Sequence, residues 1–356
     1  MKIERSNKLV ATWIFVGIGM LIIQVLLGGI TRLSGSGLSI TEWRPIMGFM
    51  LPTSELQWQV LFEKYQQIAQ YKYINNHFTI SDFKFIFFWE WFHRVWARLI
   101  AIAFAIPFVY FIIKKHIKPN MVKPLIILVL MGALEGALGW IMVKSGLNAE
   151  NVYVNHIKLS VHFVFAMAII SYALSIGIKL ISNSVEFVLD NKLRKQTLYI
   201  IIIVFIQLMY GAFMAGLKAA NHAPTWPLIN GDVFPETLYK NNMMDTLFFN
   251  SISIHFIHRL LAYIIFIVIF SWWSKARQIK TSTSFNAIKN YPYYLVFIEV
   301  LLGITALLVS KHIVLGGFGF FEWIALSHQL VGMLLLLSLV ANYCMLSRIK
   351  NNHLSS

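Results

Sequence analysis

Apolar residues along this chain come in blocks of about 20, the length a helix needs to cross roughly 30 Å of hydrocarbon. Eight such blocks are legible, at about 9–30, 88–113, 122–143, 159–182, 197–217, 253–274, 293–310 and 323–346. None alternates apolar and polar residues as a barrel strand does, so a helical bundle is the remaining way to satisfy the backbone in lipid. The predicted fold class is all-α integral membrane.

The blocks repeat. His93 and His258 are each followed by an arginine, Arg94 and Arg259, and lie 165 residues apart; His162 and His328 lie 166 apart. The odd-numbered helices share a different element, Gln or Glu four residues before Gly: Gln24 and Gly28, Glu135 and Gly139, Gln207 and Gly211, Glu299 and Gly303. Near-constant offsets of this kind mark an internal duplication. The expected organisation is two tandem, repeat-related four-helix bundles, 1–183 and 196–356, joined by a linker over 184–195. The first connection, 31–86, is longer than its counterpart 218–252, and its aromatic, amphipathic stretches 56–73 and 83–91 predict short helices along the membrane surface.

Composition agrees with the pattern: 58% of residues are apolar and only 13% charged, against about 25% in soluble chains. The net charge of +15 is placed in alternate connections. Lys2, Arg5 and Lys8, then Lys114, Lys115, Lys118 and Lys123, then Lys192, Arg194 and Lys195, then Lys275, Arg277 and Lys280, then Arg348 and Lys350 fall on one side. That asymmetry points to a membrane topology with both termini cytoplasmic, and away from nucleic acid. Eight polar residues precede a full-length first span, with no cleavable signal or transit peptide, which favours a bacterial inner membrane. The single cysteine, Cys344, allows no intramolecular disulfide.

In this topology the four even helices run inward, and each carries its histidine within a turn or two of the outer start. Ionisable residues inside spans are costly and usually functional. Paired histidines on neighbouring helices of a four-helix bundle are a common way to hold haem iron from both sides. A zinc site would need three or four clustered ligands. The glycine of each Gln/Glu-x3-Gly element serves close helix approach, clearance for a porphyrin face, or both. Arg94 and Arg259 either hold haem propionates or reach to the lipid interface. The halves differ at one informative place: Glu90, three residues before His93, is matched by His255 before His258. A carboxylate there can take a proton or stabilise a cation, unless it only pairs with Arg94 or Arg32.

Several stretches resemble the haem A synthase family. They are GGITRLSGSGLSITEWRPIMG at 28–48, FKFIFFWEWFHR at 83–94, GALGWIMVKSGL at 136–147 and GAFMAGLKAANHAPTWPLINGDVFP at 211–235, with HFIHR at 255–259 and SHQ at 327–329. The likeness covers almost the whole chain and is to the longer, alphaproteobacterial and mitochondrial branch, since the loop cysteine pair of the other branch is missing. It implies oxidation of a ring methyl group of haem O to a formyl group by successive hydroxylations with water-derived oxygen. It further implies that His93 and His162 bind the substrate haem, that Glu90 is the essential carboxylate, and that His258 and His328 are axial ligands of a resident haem b. Expected partners are a haem O synthase, an electron acceptor or donor system, membrane lipid and a second copy of the chain. Two residues depart from the family pattern: His255 stands where Gln is usual, and Glu135 where Gln is common.

Two rival readings remain. A di-haem b-type electron-transfer cytochrome would want equivalent sites, which the Glu90/His255 difference opposes. A transporter would want spans broken by Gly or Pro at mid-membrane, and Pro107 is the interior proline that stands out.

Overall fold

The computed structural model describes residues 2–42, 47–181, 186–314 and 317–347. Residues 43–46 of the first motif, part of the linker, and the basic positions Arg348 and Lys350 lie outside the described residues.

Eight helices are long and apolar enough to cross a membrane, so the chain is a multi-pass membrane protein. They are α1 (Lys2–Leu33), α4 (Ile80–Ile113), α5 (Pro119–Lys144), α6 (His156–Leu180), α7 (Asn191–Gly216), α10 (Ser251–Ala276), α11 with α12 (Thr283–Ile288 and Tyr291–Leu308), and α13 (Phe320–Met345). Their apolar residues outside the core face outward, as in Ile106, Ile113, Leu130, Ile202, Ile267 and Leu301, which suits lipid rather than water. Pro107 and Pro124 both lie inside helices that continue past them.

The first connection differs from expectation in one respect. Residues 56–73 form two short helices, α2 (Glu55–Tyr65) and α3 (Ala69–Tyr73), but 83–91 is no separate surface helix. It is the beginning of α4, because Thr79 and Asp82 form a reciprocal capping box that starts that helix ahead of the apolar block. At 34 residues α4 is about 51 Å long, well beyond the hydrocarbon thickness. Its protruding turns bury Phe83, Ile86 and Phe87 against Leu38, Tyr65 and Ile68, with Trp58 and Phe62 packed alongside. Burial holds the Tyr65 hydroxyl above the usual tyrosine range, while it donates to Gln70 Oε1 at 3.0 Å and accepts from Asn75 at 2.8 Å. The connection is thus a folded cap on one end of the bundle, the end that also carries the loops 145–155, 217–250 and 309–314.

In the chain's first half α1 packs on α4 and α6, and α5 on α6; in the second α7 packs on α10, and α12 on α10 and α13. The two sets meet along α6 with α7 and α13, and along α1 with α13. One continuous core crosses this junction, with Val10, Ile14, Met167 and Ile170 on one side and Ile200, Trp272, Met333 and Leu336 on the other. The halves approach closely where α6 begins and α7 ends: a Cβ on Gly216 would sit 2.5 Å from His156 Cβ, so no other residue fits there. A two-residue parallel pairing of Val188–Leu189 with Leu346–Ser347 ties the connection between the halves to the end of α13.

Candidate functional site

The Gln/Glu-x3-Gly element and the histidines, separate signals in the sequence, meet in the structure. A side chain and the one four residues later share a helix face, and in each odd-numbered span that face looks at one histidine. On α1, the Gln24 amide nitrogen lies 2.9 Å from His93 Nε2, and Gly28 gives the ring room, with Nε2 3.4 Å from where a Cβ would be. On α5, Glu135 Oε1 lies 3.0 Å from His162 Nδ1, and a Cβ on Gly139 would be 3.0 Å from the ring. On α7, Gln207 reaches His258 Nε2 at 3.4 Å, with Gly211 beneath the ring. On α12, Glu299 Oε1 lies 3.1 Å from His328 Nδ1, and Gly303 would place a Cβ 3.0 Å from Cε1.

Close helix approach and porphyrin clearance were the two readings of those glycines. Here the clearance is first of all for an imidazole. The Gln or Glu was visible in the sequence but not its role as the partner that orients the ring. Glu135 does for His162 what Glu299 does for His328.

All four histidines line one cavity of about 1090 Å³ that runs through both halves. Several buried polar atoms along its wall have no hydrogen-bond partner: Gln24 Oε1, Glu135 Oε2, Gln207 Oε1, Glu299 Oε2 and His258 Nδ1. Unpaired buried polar atoms are uncommon in native proteins and gather where a ligand or water completes the site.

These residues fit an iron porphyrin. The Glu135 and Glu299 carboxylates lie beside Nδ1 of His162 and His328, which leaves their Nε2 atoms for a metal, while the Gln24 and Gln207 amides lie at Nε2 of His93 and His258. The rings of His258 and His328 stand 6.5 Å apart, centre to centre, with planes at 85°. Two imidazole nitrogens each bonded at about 2 Å to one metal put their ring centres about 6 Å apart. No group of three or more His, Cys, Asp or Glu able to hold a metal ion occurs among the described residues, so each histidine pair stands alone as a ligand set.

Glu90 is 2% exposed and lines the same cavity. Its Oε2 accepts from the Ser39 hydroxyl at 2.7 Å and the Ile40 N–H at 2.8 Å, and its Oε1 accepts from Arg94 Nη2 at 2.5 Å. Arg94 also donates to the Ile40 and Glu42 carbonyls. In the second half Arg259 Nε donates to His255 Nε2 at 3.0 Å and its other nitrogens to the carbonyls of Thr225, Pro227 and Leu228. In both halves the arginine after the histidine therefore pins an end loop, and His255 accepts a bond from Arg259 much as Glu90 does from Arg94. Both arginines line the cavity.

A hydrogen bond between the halves runs beside two of these histidines. Gln329, next after His328, donates to the carbonyl of Val25 at 3.0 Å, and Val25 adjoins Gln24, the partner of His93.

Comparison with known proteins agrees with this arrangement. A family model described as COX15-CtaA, cytochrome oxidase assembly protein, matches residues 11–340. A protein of Flavobacterium johnsoniae named Heme A synthase is 36% identical over 341 residues, covering 94% of this chain and 96% of that protein. Proteins of the same name from Nitrosomonas eutropha and Bartonella tribocorum are 36% and 35% identical, covering 87% and 96% of this chain and 88% and 93% of their own lengths. With four histidines, each met by a Gln or Glu of a neighbouring span, around one cavity, and likeness running from α1 to α13, the chain belongs to the COX15-CtaA family.

Proposed function

We propose that this chain is a haem A synthase that oxidises a ring methyl group of haem O to a formyl group. The observation that carries the reading is the set of four cavity-lining histidines, each backed by a Gln or Glu and cleared by a glycine, in a chain whose relatives are named Heme A synthase. The two halves, 1–183 and 196–356, take different parts. His93 and His162 hold the iron of the substrate haem, and His258 and His328 hold a resident haem b.

Haem b, when bound, supplies a reversible one-electron carrier within reach of the substrate site. The protein's own groups do the rest. Each hydroxylation takes oxygen from water and releases two electrons and two protons as the methyl carbon becomes hydroxymethyl and then a geminal diol. Loss of water from the diol gives the aldehyde. Glu90, held by Ser39, Ile40 and Arg94, presents a fixed negative charge at the cavity wall that favours positive charge developing on the substrate carbon. Glu135 and Gln24 keep the rings of His162 and His93 from turning away. An electron acceptor would take the electrons that each step releases, and a haem O synthase would supply the substrate.

Membranes from cells that make haem O and this protein should form haem A, and those with His162→Ala should not. Continued haem A formation in that variant overturns the assignment of the substrate site.

The basic residues of alternate connections support a topology with both termini in the cytoplasm of a bacterial inner membrane. Reporters fused near Asn76 and Asp232 should then lie on the far side, and a cytoplasmic signal from either contradicts the topology. Gly303→Val tests the ring clearance. Its side chain would have to displace a ring 3.0 Å from the new Cβ, so the haem b absorbance should weaken or shift while the helices remain. An unaltered haem b spectrum would show that His328 is not the ligand at that ring position.

A further inference from the structure

The face of α1 that serves His93 continues one turn beyond Gly28. Gln24, Gly28 and Arg32 are spaced by four, so Arg32 lies on the same face, about 6 Å farther toward the capped end than Gly28. It lines the cavity. The same position two turns past Gln or Glu in the other three spans is Val143, Ala215 and Leu307, all of them cavity-lining and uncharged. Arg32 is therefore the cation that sets the His93 site apart from the other three ring positions.

Its partners are few. Arg32 donates to the carbonyl of Ala215 near the end of α7, which uses one of five N–H donors. Glu90, which lines the same cavity, is paired with Arg94. Among the described residues no ion pair includes Arg32. Arginine inside a membrane-spanning segment ordinarily pairs with an acid or serves a ligand. A guanidinium is also the side chain that best matches a planar carboxylate.

We infer that Arg32 receives a side-chain carboxylate of the porphyrin held between His93 and His162, an inference that rests on the reading of that pair as the substrate site. The ring edge that carries the acids then points toward the capped end, between α1 and α7, which fixes how the porphyrin is turned about the iron. Arg32 is a binding and orienting residue, not a participant in the oxidation. A purely structural Arg32, capping the carbonyls of α7, would give the substrate's acid groups no special importance.

The test uses the purified full chain carrying its resident haem b, titrated with haem O and with the dimethyl ester of haem O, occupancy being read from absorbance and from extracted pigment. Wild type should bind the ester about tenfold to a hundredfold more weakly than the free acid, the effect of one charge-assisted hydrogen bond. Arg32→Gln should weaken binding of the free acid by the same factor and lose the distinction between the two forms. Arg32→Lys should restore part of it, because the charge returns without the fork geometry. Wild type that binds acid and ester equally overturns the inference without recourse to any variant. So does an Arg32→Gln protein, with its haem b spectrum intact, that still prefers the acid as wild type does. Wild type that takes up neither form overturns the substrate-site reading itself, and the role of Arg32 with it.

Discussion

Glu90→Gln should lower haem A formation by about a hundredfold or more per folded molecule, the effect of losing one preorganised charged group at a reacting centre. Haem O should accumulate, with some singly hydroxylated product, and the haem b absorbance should persist. The structure makes the substitution more than a change of charge. Three donors converge on the carboxylate, from Ser39, Ile40 and Arg94. An amide can turn only one oxygen toward them, so its NH2 group must face at least one donor. Some loss of stability in the cap around residues 39–42 is therefore expected alongside the loss of turnover. Ser39→Ala separates the two effects. It removes one donor and leaves the charge, so it should loosen the same loop while retaining most of the haem A formation. Glu90→Asp, which withdraws the charge by one methylene, should retain a part. Normal turnover per folded molecule in Glu90→Gln would reduce Glu90 to an anchor for Arg94 and the loop.

His258→Ala or His328→Ala should abolish the low-spin haem b spectrum and product together, because a bis-histidine iron loses its spectral signature when either ligand goes. His93→Ala or His162→Ala should abolish product and leave the haem b spectrum largely intact. The contrast is large and needs only an absorbance spectrum of each purified variant beside a pigment extract. Glu299 and Gln207 should show a weaker form of the same pattern. Replacing either by Leu leaves the iron ligand in place but frees its ring, and loss of an outer partner typically weakens such a site by about tenfold to a hundredfold. If all four histidine variants lose the same spectral component equally, the two halves do not divide the work.

The spans were legible because each lies between polar turns and is apolar throughout. Most ends fall within a few residues of the sequence-based positions, but α1, α7 and the α11–α12 span begin six to ten residues early, and so does α4. There the helix begins at Ile80, eight residues early, because a capping box is a local signal that hydropathy does not register. The four histidines were legible as a repeat, and the structure puts all of them on one cavity. What the sequence could not disclose is which neighbour each Gln or Glu meets. Spacing by four shows that Gln24 and Gly28 share a face, but only helix packing decides that the face looks at His93 rather than at lipid. The roles of Arg94 and Arg259 depended in the same way on where the end loops fold. Those loops, 40–42 and 225–228, bring backbone carbonyls to the arginines, and no periodic pattern in the chain marks that contact. Arg32 looked like a possible partner for Glu90; the geometry gives that partner to Arg94 and turns Arg32 toward α7.

The most direct measurement is the pigment content of the purified protein from cells that also make haem O. Extraction and chromatography should yield haem B in a one-to-one ratio with the chain, accompanied by haem O or haem A at a second site. Two equivalents of haem B per chain, with neither haem O nor haem A, would contradict the enzyme and make the molecule a di-haem electron-transfer cytochrome.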